Sequence, residues 1–522
     1  MAELTRRNAL KLSGAFAAAL VPASSAASAP TQHASVPQWE VFEVTRKGPS
    51  SGNPFAETSF AAEFRTGSRA VHVNGFYDGE GMYAVRFMPD MQGDWSYTTQ
   101  SNVAALHGVS GTFRVTAPRT GAHGPVVVHN TQHFAFSDGA PYFPFGTTSY
   151  AWIHQAEALQ QQTLATLKAA PFNKIRMCVF PKHYEYNHNE PPFYPFPRNS
   201  GTSDYTRFDP EFFRHLERRI LDLQRLGIEA DLILFHPYDR WGYSSMTPEQ
   251  DAFYLRYIVA RLGAYRNVWW SLANEWDLMR HKSLADFDRL FHVLEAEDAH
   301  GHLRSIHYSV TPYDYAKPWV THASIQTDEF DKAPKWLAAW KKPVIFDEVK
   351  YEGNLNKRWG NIGAGEMVRR FWLGLVNGCY VTHGETYLPE TEAAFSEDTT
   401  PTLWWSHGGV LHGESSAGIA LLRRLVEESA GPRSGFFAQD KPYYLNATAY
   451  GGADGKQPQT ILYFMDQHQP VWYEFPLPEG DFTAERLDTV TNTVTSIPGT
   501  HRGRTKLKLP VKPYGAVRFR RV

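Results

Sequence analysis

Asn267-Val-Trp-Trp-Ser-Leu-Ala-Asn274-Glu275-Trp276 is an apolar, β-prone run that stops abruptly on an amide and a carboxylate. A second run, Pro343-Val-Ile-Phe-Asp347-Glu348, ends the same way. Two buried-looking strands that each deliver a glutamate at the C-terminal end point to one site at the top of a parallel barrel.

The pattern around these two runs alternates strand and helix. Besides 268–273 and 344–346, strand candidates lie at 142–146, 174–180, 228–235, 303–308, 323–326 and 379–382. Each precedes a helix-like stretch or a loop long enough to hold one. Asp209-Pro210 supplies an N-cap and an N1 proline, Phe212, Leu216, Ile220 and Leu223 form one apolar stripe, and Gly227 closes it. Thr247-Pro248-Glu249-Gln250 is a capping box, and Ser283 to Asp286 opens the helix that follows Glu275. Eight such units fit a (β/α)8 TIM barrel, an α/β fold. A doubly wound open sheet would place a Gly-rich phosphate loop after the first strand, and none is there.

The flanks read differently. Short β runs at 70–76, 82–88 and 93–99, separated by turn residues, predict an N-terminal β-sandwich over 37–120. Pro118 to Pro125 is a linker candidate. The barrel is expected over 126–430. Strand-like runs at 460–464, 471–475 and 515–520 predict a C-terminal β-sandwich over 431–522.

The 522-residue length calls for two or three domains. Lys plus Arg number 52 against 54 Asp plus Glu, a near balance that gives no support for a nucleic-acid partner. Thr5-Arg6-Arg7, an apolar stretch over 10–21 and the small-residue run 23–29 resemble a bacterial Tat signal peptide. The reading is therefore an exported protein, periplasmic or extracellular, with 1–29 as the signal. The apolar stretch is too short to span a bilayer, so no membrane span is expected. The two cysteines, Cys178 and Cys379, lie in apolar strand-like runs and read as small buried hydrophobes; a bridge between them is not implied.

Hydrolysis of a glycoside needs a proton for the leaving oxygen and a carboxylate facing the anomeric carbon. Glu275 and Glu348, at the tips of strands four and seven, face each other across a barrel mouth. Asn-Glu closing strand four and Glu closing strand seven resembles the clan A retaining glycoside hydrolases. Over most of its length the chain is also similar to a bacterial group with an N-terminal sandwich, an apiosidase-like barrel and a C-terminal sandwich. Phe346 to Gly353, Thr382 to Tyr387 and Trp404 to Gly409 carry that likeness. The resemblance implies Glu275 as general acid/base, Glu348 as nucleophile and Asn274 as the ligand of the sugar 2-hydroxyl. It implies Arg176 as the cation that keeps the nucleophile ionised, and His236 as a sugar contact on strand three. The tyrosine that orients the nucleophile in many members is not evident on strand six; Tyr308 or Tyr351 is expected to substitute.

Further substrate contacts are expected from Trp152, Trp405, His383 and Glu385, with Trp241, Tyr243 and Trp404 as additional members of a stacking wall. Asp277, Asp347 and Glu352 read as structural neighbours. No zinc spacing is present in the sequence, so neither a metal nor a cofactor is expected. The reading is an exo-acting retaining glycosidase on a plant or microbial oligosaccharide or polysaccharide. A transglycosylase using the same carboxylates and a non-catalytic carbohydrate-binding protein are the alternatives.

Overall fold

The computed structural model describes residues 34–388, 401–439 and 448–522. The signal expected over 1–29 lies outside the described residues.

Eight parallel strands form the central sheet: Phe145–Thr148, Lys174–Cys178, Glu229–Phe235, Val268–Ala273, Arg304–Ser305, Ala323–Gln326, Val344–Glu348 and Tyr380–His383. Numbered in that order, they run 5-4-3-2-1-8-7-6 across the sheet. The Thr321 N–H donates to the Arg304 carbonyl at 2.9 Å, bringing strands five and six together and closing the ring. The side chains alternate in and out with the two-residue strand period. Lys174 and Arg176, two residues apart, both reach the barrel interior and are fully buried there.

Three boundaries differ from the sequence reading. Pro141–Tyr142 does not begin strand one; it pairs with His133–Phe136 in a small antiparallel sheet at the barrel base. Phe134 and Tyr142 from that sheet pack on Trp269, with ring centroids 5.3 and 6.0 Å apart, and plug the barrel from below. Strand five keeps only two residues. Its connection to strand six contains no α-helix and is folded around Tyr315, whose hydroxyl donates to the Ser324 carbonyl and lies 3.0 Å from that of Ile306. Strand seven runs to Glu348 itself, so the carboxylate is carried by the last residue of a rigid strand.

The helix signals act where the sequence places them. Asp209 accepts from the Glu211 N–H ahead of helix Pro210–Arg225, whose Phe212, Leu216, Ile220 and Leu223 are buried. Thr247 with Gln250, and Ser283 with Asp286, form reciprocal capping boxes at helices Pro248–Leu262 and Leu284–Glu297.

The N-terminal strands form a five-stranded and a three-stranded sheet around their own core of Phe64, Phe87, Trp95 and Phe113. The C-terminal strands form a six-stranded and a two-stranded sheet around Tyr463, Phe475 and Phe519. Ion pairs join both to the barrel: Arg86 to Glu217 at 2.7 Å, and Arg518 to Glu428 at 3.0 Å. Cys178 and Cys379 are buried and unbridged. Among the described residues no helix is long and apolar enough to cross a membrane.

Candidate active site

The site is built on a buried charge layer inside the barrel. Lys174 on strand two lies 2.8 Å from Asp231 on strand three and 2.9 Å from Asp347 on strand seven. Asp347 also accepts from Ser324 and Thr382, each at 2.6 Å. Burial opposes ionisation of Asp347, but Lys174, Arg176 and the two hydroxyls outweigh it and hold the carboxyl well below the usual range. This layer fixes Arg176, whose Nε stands 3.9 Å from Asp347 Oδ1.

Arg176 then spans the two strand tips. One guanidinium nitrogen donates to Asn274 Oδ1 at 3.0 Å, and the other lies 3.5 Å from Glu348 Oε1. Asn274 continues the strand-four ladder, its N–H on the Phe235 carbonyl at 2.9 Å. The next residue breaks it. Glu275 adopts a left-handed backbone, φ 49°, and the Trp276 N–H crosses to the His307 carbonyl at 3.0 Å. A glutamate held in that region is strained, a cost that functional sites commonly carry. Asn274 Nδ2 donates to Glu275 Oε2 at 3.3 Å.

Two tyrosines complete the pair. The Tyr150 hydroxyl donates to Glu348 Oε1 and lies 3.4 Å from Asn274 Oδ1. The Tyr238 hydroxyl donates to Glu275 Oε2. His307 Nε2 stands 3.3 Å from Glu348 Oε1, with its Nδ1 3.1 Å from Ser324 Oγ. Glu348 is therefore reached from Glu275 through two hydrogen-bonded groups, Asn274 and Tyr150.

These partners drive the two carboxyls in opposite directions. Burial and the neighbouring Glu348 charge raise the pKa of Glu275, with Tyr238, Lys182 and His307 opposing. Burial would raise Glu348 too. The His307 imidazole, Arg176 and the Tyr150 hydroxyl overcome it and hold Glu348 well below the ordinary carboxylate range. The two shifts run in opposite directions, as suits a proton donor paired with an ionised carboxylate.

Both open into one cavity of about 580 Å³, lined also by Tyr150, Lys182, Tyr184, Tyr238, Gln326, Tyr351 and Trp405. Trp405 is delivered by the chain after strand eight, which folds back so that the Tyr150 and Ala151 N–H groups donate to the carbonyls of Trp405 and Ser406. Its ring meets Tyr184 at 5.4 Å, Tyr351 at 5.3 Å and Trp359 at 5.0 Å, forming an aromatic wall.

The geometry sorts the expected residues. Glu275, Glu348, Asn274, Arg176 and Trp405 come together. Trp152 does not: it begins a single 3-10 turn that swings its ring into the core, where it is fully buried with Nε1 3.4 Å from Met177 Sδ. Trp241, Tyr243 and Trp404 are likewise packed beside the barrel rather than on the cavity. His236 Nε2 is tied to the Phe180 carbonyl at 3.1 Å, and the buried Tyr308 lies outside the cavity lining; of the two expected tyrosines Tyr351 is the one on the cavity, and Tyr150, not expected, donates to Glu348.

Glu385 accepts from the backbone N–H groups of His412 and Gly413 at 2.6 and 2.8 Å. Glu352 does the same for Glu414 and Ser415, at 2.8 and 3.4 Å. With His383 these side chains form a cluster whose ligand atoms lie within 4.8 Å of one another. Its carboxylates anchor the segment that leads into helix Ser415–Glu427. His383 Nδ1 turns to Thr147 Oγ1 at 3.1 Å, so Glu385 and His383 serve the scaffold instead of lining the cavity. Asp277 caps the backbone of Ser309, Val310 and Thr311, the structural task the sequence suggests.

Residues 128–429 match the family model described as "Apiosidase-like, catalytic domain". The chain belongs to the apiosidase-like family. In this apiosidase-like chain the flanks match two domains of unknown function, DUF5060 over 35–102 and DUF5605 over 449–520. A crystal structure of a glycoside hydrolase candidate from Bacteroides vulgatus is 38% identical, with 94% of this chain and 100% of that one covered and a TM-score of 0.85. A glycoside hydrolase of family 5 from the same organism superposes at 0.59 over 76% of this chain and 92% of its own, at 14% identity, a likeness of fold alone. No curated protein matches the chain significantly. Family and fold together support a glycosidase with a carbohydrate substrate.

Proposed function

We propose that the protein is an exported retaining glycoside hydrolase that removes terminal units from a plant or microbial glycan. The observation that carries this reading is the pair of carboxyls in one cavity with opposite protonation preferences. Glu275 donates its proton to the glycosidic oxygen as Glu348 attacks the anomeric carbon. The C–O bond to the leaving sugar breaks and a glycosyl ester forms on Glu348. Glu275, now ionised, takes a proton from water, which attacks the same carbon and releases the sugar with net retention.

Arg176, His307 and Tyr150 stabilise the Glu348 carboxylate before attack. Asn274, between the two carboxyls, is placed to bind the 2-hydroxyl. Tyr184, Glu185 and Tyr186, from the long loop after strand two, form one side of the cavity and favour exo-action by narrowing it. Export follows from the twin-arginine segment at 6–7.

The test is the stereochemistry of the first product. Proton NMR during hydrolysis of an aryl glycoside is expected to show the substrate anomer forming before mutarotation. Glu275→Ala is expected to keep cleaving substrates with good leaving groups and to yield a glycosyl azide of retained configuration when azide is added. First-formed product of inverted configuration overturns the double-displacement reading.

A further inference from the structure

Three lysines are buried among the described residues, and one is unlike the others. Lys174 has Asp231 and Asp347 at 2.8 and 2.9 Å. Lys282 has Asp251 at 2.5 Å and the Met246 carbonyl at 3.2 Å. Lys182 is 2% exposed, yet its ammonium has no hydrogen bond or ion pair among the described residues. Taking an ammonium out of water is costly unless it is paired.

Aromatic faces hold Lys182 in place. Its Nζ lies 3.7 Å from the Tyr150 ring centroid, 4.2 Å from Tyr238, 4.4 Å from Tyr184 and 5.5 Å from Trp405. Cation–π contacts of this kind hold the charge without giving its N–H groups an oxygen or nitrogen acceptor. The main chain is pinned as well, with the Lys182 carbonyl accepting from Asn187 at 2.7 Å and the His183 N–H on the Tyr238 carbonyl at 2.9 Å.

The location decides what those donors face. Lys182 lines the cavity that holds Glu275 and Glu348, between the two tyrosines whose hydroxyls hold those carboxylates. The rim cations are already matched: Lys350 is 2.6 Å from Asp328, and Lys357 is 3.4 Å from Glu185. Tyr150, His307 and Arg176 all meet Glu348 at Oε1, and Tyr238 and Asn274 both meet Glu275 at Oε2.

We infer that Lys182 is a specificity-determining residue that binds the carboxylate of a uronic acid in the glycan held against Glu275 and Glu348. The inference rests on the glycosidase reading and narrows its substrate to an acidic glycan. Lys182 takes no part in bond cleavage; Glu275 and Glu348 act on it through space, and a bound carboxylate supplies the direct hydrogen-bonding partner it lacks.

The experiment measures binding, so that it does not depend on turnover. Full-length Glu348→Gln protein, with and without Lys182→Met, is titrated with oligogalacturonates, glucuronoxylan oligomers and alginate oligomers. Each is also offered after carboxyl reduction, which leaves configuration and linkage unchanged. Melting temperature checks that both variants are folded.

At least one acidic glycan is expected to bind. Its affinity is expected to fall about ten- to hundredfold on carboxyl reduction, and by a similar factor in Lys182→Met, as for loss of a hydrogen bond between charged groups. Binding of none of the acidic glycans, equal binding of the reduced forms, or unchanged affinity in a folded Lys182→Met variant each overturns the assignment. A glycan that binds in this way but is not cleaved by wild-type protein would instead sink the glycosidase reading and leave the Lys182 assignment standing.

Discussion

Replacing Tyr150 with phenylalanine removes one hydroxyl from the centre of the site and little else. That hydroxyl is buried, donates to Glu348 Oε1 and touches Asn274 Oδ1 at 3.4 Å. The ring would still face Lys182 and Trp405. A hydrogen bond to a charged acceptor contributes about 1.5–3 kcal/mol. At about 1.4 kcal/mol per factor of ten, kcat/KM is expected to fall between about tenfold and about 150-fold. The pH profile makes the prediction specific. Tyr150 is one of the partners that hold Glu348 ionised against the effect of burial. Losing a donor to the charged form favours the protonated form, so the acid limb of kcat/KM should move to higher pH. The assay is initial-rate hydrolysis of an aryl glycoside across both limbs, wild type against Tyr150→Phe. Unchanged kcat/KM refutes the reasoning, and so does a uniform loss with an unmoved acid limb.

Other substitutions probe the remaining parts. Glu275 is raised in pKa, so its ionised form opposes folding increasingly as pH climbs through the ordinary 4.5 toward the folded value. Glu275→Gln is therefore expected to melt higher than wild type at neutral pH, with the gap closing in acid, as scanning calorimetry would register. Asp347 is depressed instead: its contribution is full above the unfolded value of 3.8 and is lost as pH falls below it. Asp347→Ala leaves Lys174 with one carboxylate and should cost about 3–5 kcal/mol in urea unfolding, the range for breaking a buried ion pair. Glu385→Ala strips the acceptor from two backbone N–H groups. It should lower the melting temperature while leaving the acid and alkaline limbs of kcat/KM where they are.

The sequence carried the barrel because its signals are local and redundant. Asp209-Pro210, the Thr247 box and the Ser283 box each start a helix by satisfying backbone donors that no tertiary contact supplies. Glu275 and Glu348 were legible because an apolar strand that ends on a carboxylate is unusual. Their supporting partners were not. Tyr150 and Tyr238 lie just beyond strands one and three in loops, where a tyrosine has no periodicity to mark it. Position past a barrel strand's C-terminal end was the one available signal. Lys182 has the same address, and only three-dimensional packing reveals that its ammonium lacks a carboxylate. Trp152 shows the converse. Its sequence position matched that of a platform, but a three-residue 3-10 turn points it inward. Glu385, likewise, had the right strand end, and the backbone of 412–413 claims it.

In the proposed mechanism the Glu348 carboxylate is the nucleophile that attacks the sugar. A 2-deoxy-2-fluoro glycosyl fluoride of a sugar the enzyme hydrolyses should trap the covalent intermediate, and peptide mass mapping should place a single label on Glu348. A label on Glu275 or on any other residue, with Glu348 unmodified, would contradict it.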